Sequence, residues 1–339
     1  MAIELAPPCY NELTLEECLP IFQENRVKVV HTAAHHISDL PEHRLSEVGR
    51  MYREAGVRIY CVHGLDPDGL ASLDEGERRK AVEKHMKFLH KLQLIGADVM
   101  VIHGGRVEEE GMVPLARSAL VESLRELSEE AKDEGVRIAL ENDGLSGGKV
   151  LKGAEERMKP PWRQFAGYRR FPGPLLPEAE AVKQVIDEVG SPWLGACFDT
   201  GHANVYGEVG EQVEILGEKI ITVHMQDNEG RADQHIQPPY GTVDWEAFGR
   251  ALRRVGYEGP ILIESGPRGD VPFRRMLEEC AALLNDIGLN TGTPFTFKVA
   301  KFLTGREIDD LRIYCSRCRH YVISDGKECF CMCRRWRTP

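Results

Sequence analysis

The chain has 339 residues, of which 42% are hydrophobic and 29% are charged. This composition is typical of a folded globular protein and excludes a mainly disordered chain. No apolar run reaches the roughly 18 residues of a transmembrane helix, so we expect no membrane span. The first residues lack a basic segment followed by an apolar stretch, which predicts no signal peptide and a cytoplasmic location.

The net charge of −11 is unevenly distributed along the chain. Residues 1–296 carry −16, whereas residues 297–339 carry +5. The acidic body lacks the basic surface that nucleic-acid binding requires, which argues against a nucleic-acid partner. The basic end leaves open one alternative, a non-enzymatic adaptor whose nucleic-acid binding would weaken steeply with salt.

Residues 1–289 alternate short apolar runs with amphipathic helical patterns. The apolar runs are rich in Val, Ile and Leu on both faces and predict parallel strands at Ile3–Ala6, Val27–His31, Val57–Val62, Asp98–His103, Val136–Glu141, Leu194–Asp199, Ile220–His224 and Pro260–Glu264. The helical patterns cover Thr14–Asn25, Leu45–Ala55, Glu75–Ile95, Pro114–Glu134, Pro177–Val189 and Trp245–Val255. Eight strands alternating with helices predict an α/β protein of the (β/α)8 TIM-barrel type. No Gly-x-Gly-x-x-Gly follows a strand, which counts against a dinucleotide-binding fold.

Two segments interrupt the alternation. Residues 145–176 form a long insertion after the fifth strand, rich in Lys, Arg and aromatic residues. Because the loops after the strands lie at the mouth of a barrel, we expect this insertion to form a lid there. Residues 290–311 are predicted to be a linker, and residues 312–339 a small Cys-rich appendage.

The ten cysteines fall into two sets of five. Those of the body are isolated in or near apolar runs and are expected to be buried reduced thiols: Cys9, Cys18, Cys61, Cys197 and Cys280. The remainder resemble a zinc ribbon, in which four thiolates bind Zn²⁺, with one cysteine to spare: Cys315, Cys318, Cys329, Cys331 and Cys333. A hairpin this small has little core, so we expect it to need the metal to fold.

Imidazoles and carboxylates stand at or after the ends of the predicted strands. They are His63, His103, Glu141, Asp199, His202, His224, Asp233, His235 and Glu264, with Arg231 nearby. A barrel collects such residues at one mouth. Since several buried carboxylates need a compensating charge, this ring predicts a bound divalent metal. Its nitrogen and oxygen donors suit Zn²⁺, Mn²⁺, Fe²⁺ or Co²⁺.

The motifs resemble the xylose-isomerase-like barrel superfamily, which includes sugar phosphate isomerases and epimerases, ketohexose 3-epimerases, inosose dehydratases and endonuclease IV. The resemblance is carried by 140–142, 198–202, 223–228, 233–245 and 263–265. Resemblance to the epimerases implies one metal held by Glu141, Asp199, His224 and Glu264. Resemblance to endonuclease IV implies up to three ions, with His63, His103, His202, Asp233 and His235 as additional ligands.

The sequence therefore predicts a metal-dependent sugar or sugar-phosphate isomerase or epimerase. Glu141 and Glu264 are expected to move the proton by way of a metal-stabilised enediolate. His202, Arg231 and His103 are expected to bind a small anionic or polyol substrate. Two alternatives remain at this point: a multi-metal phosphoesterase like endonuclease IV, and a lyase like inosose dehydratase. Assembly into a homo-oligomer is also left open.

Overall fold

A computed structural model describes residues 3–65, 69–144, 173–230, 232–267 and 272–291, together with the backbone of four strands within 311–337. Most of the predicted insertion, Arg231 and nearly all of the predicted linker lie outside the described residues. Cys318 and Cys333 also lie outside them, and so do the side chains of the other tail cysteines. The zinc site expected in the tail therefore stays a prediction.

Eight parallel strands form the central sheet, which confirms the predicted barrel. They are β1 (Leu5–Ala6), β2 (Val29–Ala33), β3 (Arg58–His63), β4 (Val99–Ile102), β5 (Arg137–Glu141), β6 (Leu194–Asp199), β7 (Ile220–Met225) and β8 (Ile261–Ile263). Each strand pairs with its successor from β2 to β8, and β1 pairs with β8. The barrel closes between β1 and β2. There Pro8 and His31 form a parallel bridge, and the Cys9 amide donates to the His31 carbonyl at 2.8 Å.

The helices found among the described residues follow the strands as the barrel pattern requires. They are α1 (Leu15–Glu24), α2 (Glu42–Glu54), α3 (Glu75–Ile95), α4 (Val113–Glu134), α5 (Ala179–Val189), α6 (Thr200–Tyr206), α7 (Val209–Leu216), α8 (Trp245–Arg254) and α9 (Phe273–Asp286). A capping box between Thr14 and Glu17 starts α1. Left-handed Gly96 and Gly135 end α3 and α4, which turns the chain into the next strand.

The core has two apolar layers. Large side chains fill the space between the strands and the helices. A smaller cluster of nine buried residues fills the inside of the barrel: Ala6, Val29, Tyr60, Cys61, Val99, Val101, Ala139, Cys197 and Leu262. The five body cysteines are buried and free, as predicted. The inner cluster forms the floor of the mouth into which the polar strand ends project.

Two small sheets lie outside the barrel strands. Arg106–Val107 pairs antiparallel with Gly173–Pro174, so the last residues of the predicted insertion are ordered against the loop after β4. In the tail, four antiparallel strands follow one another at Leu311–Cys315, His320–Ser324, Glu328–Cys331 and Arg334–Arg337. Among the described residues, no helix is both long and apolar enough to span a membrane.

Candidate metal centre

The strand ends bring the predicted polar residues to the carboxyl-terminal mouth of the barrel. Glu141 is the last residue of β5 and Asp199 the last of β6, while His224 lies one residue before the end of β7. Glu264 follows β8 directly, and its amide donates to the Met225 carbonyl of β7 at 3.0 Å. Because parallel strands all end at the same mouth, these four side chains converge there, and Asp199 stands directly opposite His224 in the pairing of β6 with β7.

Four of these side chains form a compact donor group. One possible ligand atom from each of Glu141, Asp199, His224 and Glu264 lies within 4.8 Å of the others. Nδ1 of His224 is 2.9 Å from Glu141 Oε1 and 2.9 Å from Glu264 Oε2. The Glu141, Asp199 and His224 side chains are essentially inaccessible to solvent, whereas Glu264 keeps one edge exposed. The group is open to a ligand on the side of Glu264.

A second donor group shares Glu141. Its other carboxylate oxygen, Oε2, lies 3.7 Å from His63 Nε2 and 3.6 Å from His103 Nε2. The two imidazole nitrogens are themselves 3.1 Å apart. One carboxylate therefore connects the four-residue group to a pair of imidazoles from β3 and the loop after β4.

A third donor group consists of His202, Asp233 and His235. Asp233 lies between the two imidazoles, with Oδ2 at 3.4 Å from His202 Nε2 and Oδ1 at 3.0 Å from His235 Nε2. His235 is held in the left-handed backbone region at φ 48°. Its Nδ1 lies 2.7 Å from the Glu264 carbonyl oxygen, which fixes the ring beside the four-residue group.

The buried charges perturb one another strongly. Burial opposes ionisation of Glu141, but the attraction of His224 and His103 together with the hydrogen bond from His224 outweighs it, so the pKa of Glu141 falls to about 2. Burial raises the pKa of Asp199 well above its usual value. The pKa of His103 rises to about 9 because the attraction of Glu141 and Asp143 exceeds the effect of burial. The lowered pKa of Glu141 and the raised pKa of His103 both show that positive charge is favoured at the mouth.

Unpartnered polar atoms indicate where that charge belongs. Glu141 Oε2, Asp199 Oδ2 and His224 Nε2 are buried and have no hydrogen-bond partner. Leaving such atoms unpaired costs about 1–3 kcal/mol each, and more for charged groups. A cation bound by oxygen and nitrogen donors removes this cost, so the residues present fit a divalent metal.

Two buried side-chain amides, to which the sequence analysis assigns no role, hold the donors in place. The side-chain amide of Asn142 accepts from the Asp199 backbone N–H at 2.8 Å and donates to the Asp199 carbonyl at 3.0 Å. The backbone carbonyl oxygen of Asn142 lies 2.8 Å from His202 Nδ1. Gln226 donates from Nε2 to Asp233 at 2.8 Å. The only sequence signal for these amides is that they follow closely after a strand-end donor.

A cavity of about 510 Å³ opens beside the donor groups. His63, His235 and Glu264 form its inner wall. Its outer wall is mainly apolar and includes Tyr10 and Phe273, whose rings are 5.1 Å apart. The structure thus brings together all nine candidate metal donors that the sequence analysis named, next to a space for a small molecule.

The comparisons with known proteins agree with this architecture. The model of the family described as "Xylose isomerase-like TIM barrel" matches residues 22–286. An uncharacterized protein of Methanocaldococcus jannaschii is 27% identical over 265 residues, which cover 76% of this chain and 81% of the relative. The D-psicose 3-epimerase of Enterocloster bolteae is 24% identical over 232 residues, which cover 65% of this chain and 66% of the enzyme.

A solved structure has the same fold. The crystal structure of a D-tagatose 3-epimerase-like protein superposes with a TM-score of 0.67 at 23% identity. The superposition covers 86% of this chain and 98% of that protein. Since the family model spans most of the barrel, the chain belongs to the xylose isomerase-like TIM barrel family.

Proposed function

We propose that the protein is a divalent-metal-dependent sugar isomerase or epimerase. The observation that carries the proposal is the placement of two carboxylates, Glu141 and Glu264, both 2.9 Å from Nδ1 of His224 within the four-residue donor group. The similarity to D-psicose 3-epimerase and to the D-tagatose 3-epimerase-like structure supports a sugar as the substrate. The proposed substrate is a sugar or a sugar phosphate.

The proposed reaction moves a proton at the carbon beside a carbonyl group. Glu141, Asp199, His224 and Glu264 would hold the ion, which supplies Lewis-acid polarisation of the carbonyl and neighbouring hydroxyl oxygens. One of the two glutamates removes the carbon-bound proton, and the other carboxyl group returns it. His103 and His202 lie within the adjoining donor groups, where they would donate hydrogen bonds to substrate hydroxyls.

Solvent exchange tests this proposal directly. The purified protein is incubated in deuterated water with Mn²⁺, Co²⁺ or Zn²⁺ and a panel of ketoses and their phosphates. We expect deuterium to enter one sugar at the carbon beside its carbonyl. Absence of exchange with every metal and sugar would contradict the proposal. A product that has lost water would instead identify a lyase of the inosose dehydratase kind, which starts with the same proton removal.

A second candidate, a multi-metal phosphoesterase, is favoured by one specific observation. His63, His103 and Glu141 form one further donor group, and His202, Asp233 and His235 form another. Filled together with the four-residue group, they would bind three ions, which in such enzymes activate water and neutralise a phosphate ester. The acidic character of residues 1–296 argues against a duplex as its substrate.

Counting metals separates the two candidates. Full-length protein whose five tail cysteines are changed to serine is dialysed against Zn²⁺, and the bound zinc is measured per chain. One ion in the barrel supports the isomerase. Three ions, together with hydrolysis of an abasic-site or phosphomonoester substrate, support the phosphoesterase.

A further inference from the structure

His31 lies inside the barrel beside the metal centre but is not one of its donors. It belongs to β2, and only 6% of its surface is exposed. Its ring centroid is 6.0 Å from that of His224. Among the described residues, none of the groups of possible metal donors includes His31. The proposed reaction therefore leaves this buried imidazole without a role.

A hydrogen bond to β8 fixes the orientation of the His31 ring. Its Nε2 atom lies 2.8 Å from the Ile263 carbonyl oxygen. Because a carbonyl oxygen only accepts, Nε2 carries a proton and donates to that oxygen. In the neutral imidazole the other ring nitrogen, Nδ1, is then an acceptor. A second proton would bury a positive charge without an acceptor among the described residues, so the neutral ring is favoured.

The Nδ1 atom of His31 opens into the cavity of about 510 Å³, which His31 lines. It makes no hydrogen bond to a described residue, and it is not enclosed, unlike the unpartnered hydroxyl of Ser265 on the same wall. The hydroxyl of Thr32, also on this wall, is already paired with His36 Nδ1 at 2.7 Å. A nearly buried acceptor of this kind needs a donor from the molecule that enters the cavity.

The chemistry of Nδ1 selects a free hydroxyl group. A hydroxyl donates its proton to the lone pair of a neutral imidazole. A phosphate or an ether oxygen at this point would instead face the lone pair with no donor between them. The described lining of the cavity also contains no Lys or Arg that would attract a phosphate here. This part of the cavity therefore fits an uncharged polyol segment.

We propose that His31 is a specificity-determining residue, whose Nδ1 accepts a hydrogen bond from one free hydroxyl group of the sugar that the ion does not bind. The inference rests on the proposed function in requiring a sugar as the substrate. It concerns the binding of that sugar and not the transfer of its proton.

Binding calorimetry of the full-length protein with Mn²⁺ tests the proposal. The probes are the hexitols made by reducing D-psicose, with each hydroxyl group in turn removed or methylated. They lack a carbonyl group, so their binding is measured apart from turnover. We expect removal of one particular hydroxyl to weaken binding to the wild type about 5-fold to 10-fold, as for a lost hydrogen bond.

His31→Gln removes the acceptor selectively. Its side-chain amide can still donate to the Ile263 carbonyl, as Nε2 does, but it places no acceptor at the Nδ1 position. The intact hexitol should bind about 5-fold to 10-fold more weakly, and removal of the same hydroxyl should then change the affinity less than about 2-fold. Metal content and unfolding midpoint should not change.

His31→Asn is the matched control, because its amide oxygen can take the Nδ1 position while the Ile263 carbonyl loses its donor. It should keep the preference for the intact hexitol and unfold at a lower temperature. Equal effects of every deletion on the wild type and His31→Gln would overturn the proposal, and so would a wild type that binds no hexitol.

Solvent-deuterium exchange separates this inference from the proposed function. Exchange into a ketose without any hydroxyl-specific effect of His31→Gln would overturn the role of His31 and support the isomerase. A hydroxyl-specific effect without exchange into any sugar would support the role of His31 in polyol binding and contradict the isomerase.

Discussion

Glu141 belongs both to the four-residue donor group and to the group with His63 and His103, which makes it the most informative single residue at the mouth. Glu141→Gln and Glu264→Gln each keep the size of the side chain and remove a charged ligand and a base. We expect each variant to lose about 10²–10⁴-fold in kcat with the metal centre saturated, which is the usual contribution of a positioned acid or base. Solvent-deuterium exchange at several metal concentrations measures this loss.

Metal content provides the control for these two variants. Because Glu141 also faces His63 and His103, Glu141→Gln should lower ion affinity more than Glu264→Gln does. If excess metal restored full activity to both variants, the glutamates would be ligands only. The proton would then have to move through another group, such as His202 or His235.

Asp227 gives a pH-dependent contribution to stability. Burial raises its pKa to about 6, although the amides of Asn228 and Val243 and the indole of Trp245 donate to its carboxylate. A folded-state pKa above the unfolded value means that the folded protein binds more protons between about pH 4 and pH 6. The stabilising contribution is therefore present in acid and is lost as the pH rises through about 6.

Urea unfolding of the wild type and Asp227→Asn tests this sign. The free energy of unfolding of the wild type, relative to that of the variant, should fall on the order of 2 kcal/mol between about pH 4 and pH 7. Glu218 is exposed, so Glu218→Gln is the control, because it also removes one negative charge but at the surface. A difference between wild type and Asp227→Asn that does not vary with pH would show that ionisation of Asp227 is not linked to folding.

At this scale the sequence predicted which polar residues reach the mouth, and the resemblance to the epimerases predicted the four-residue group, but the division of the other candidate donors into two further groups was not predicted. Acidic residues and histidines that directly follow apolar strands must reach the mouth, because parallel strands end there together. Their distances depend on register and side-chain rotation, which composition does not encode. Asn142 was missed as a positioning group because its partner, the Asp199 backbone, lies on another strand, and Gln226 was missed because its partner, Asp233, lies seven residues further along an irregular loop.

At the scale of the elements, α2 approaches α3 through a glycine. A Cβ placed on Gly49 would lie 2.3 Å from the Ile95 carbonyl oxygen, at the end of α3. Gly49→Ala should therefore destabilise the protein by about 1–3 kcal/mol, because the clash outweighs the gain in helix propensity. Thermal and urea unfolding measure the effect.

Gly111→Ala is the matched control, since no atom lies within 4 Å of the Cβ position at Gly111. It should be neutral or slightly stabilising. Equal destabilisation by the two variants would indicate a backbone effect common to both and not the contact between α2 and α3.

Element boundaries were predictable where local signals define both ends. The predicted bounds of α3 match the structure because Asp74 caps its start and Gly96 ends it in a left-handed conformation. By contrast, α2 begins at Glu42 and not at Leu45, since its first turn is polar and carries no apolar periodicity. The short helix Thr200–Tyr206 follows Asp199 without a turn and was not predicted separately.

At the scale of the whole molecule, we expect the barrel to be independent of the tail. A chain ending at Thr291 keeps the hydrogen bonds from the Ile3 amide to the Asn290 carbonyl and from the Thr291 amide to Asn285. It should therefore retain its unfolding midpoint and its deuterium-exchange activity while binding one zinc ion fewer per chain. Zinc analysis and calorimetry of both proteins check this. Unchanged zinc content would contradict the predicted tail site.

The hydrogen bond between Ile3 and Asn290 also determines where the chain leaves the barrel. Ile3 precedes β1, so it lies at the face on which the strands begin. Asn290 is held at the same face, whereas the metal donors and the cavity lie at the opposite one. A fluorophore or surface anchor joined just after Thr291 is therefore attached about one barrel height from the mouth, which leaves the entrance unobstructed for immobilised assays.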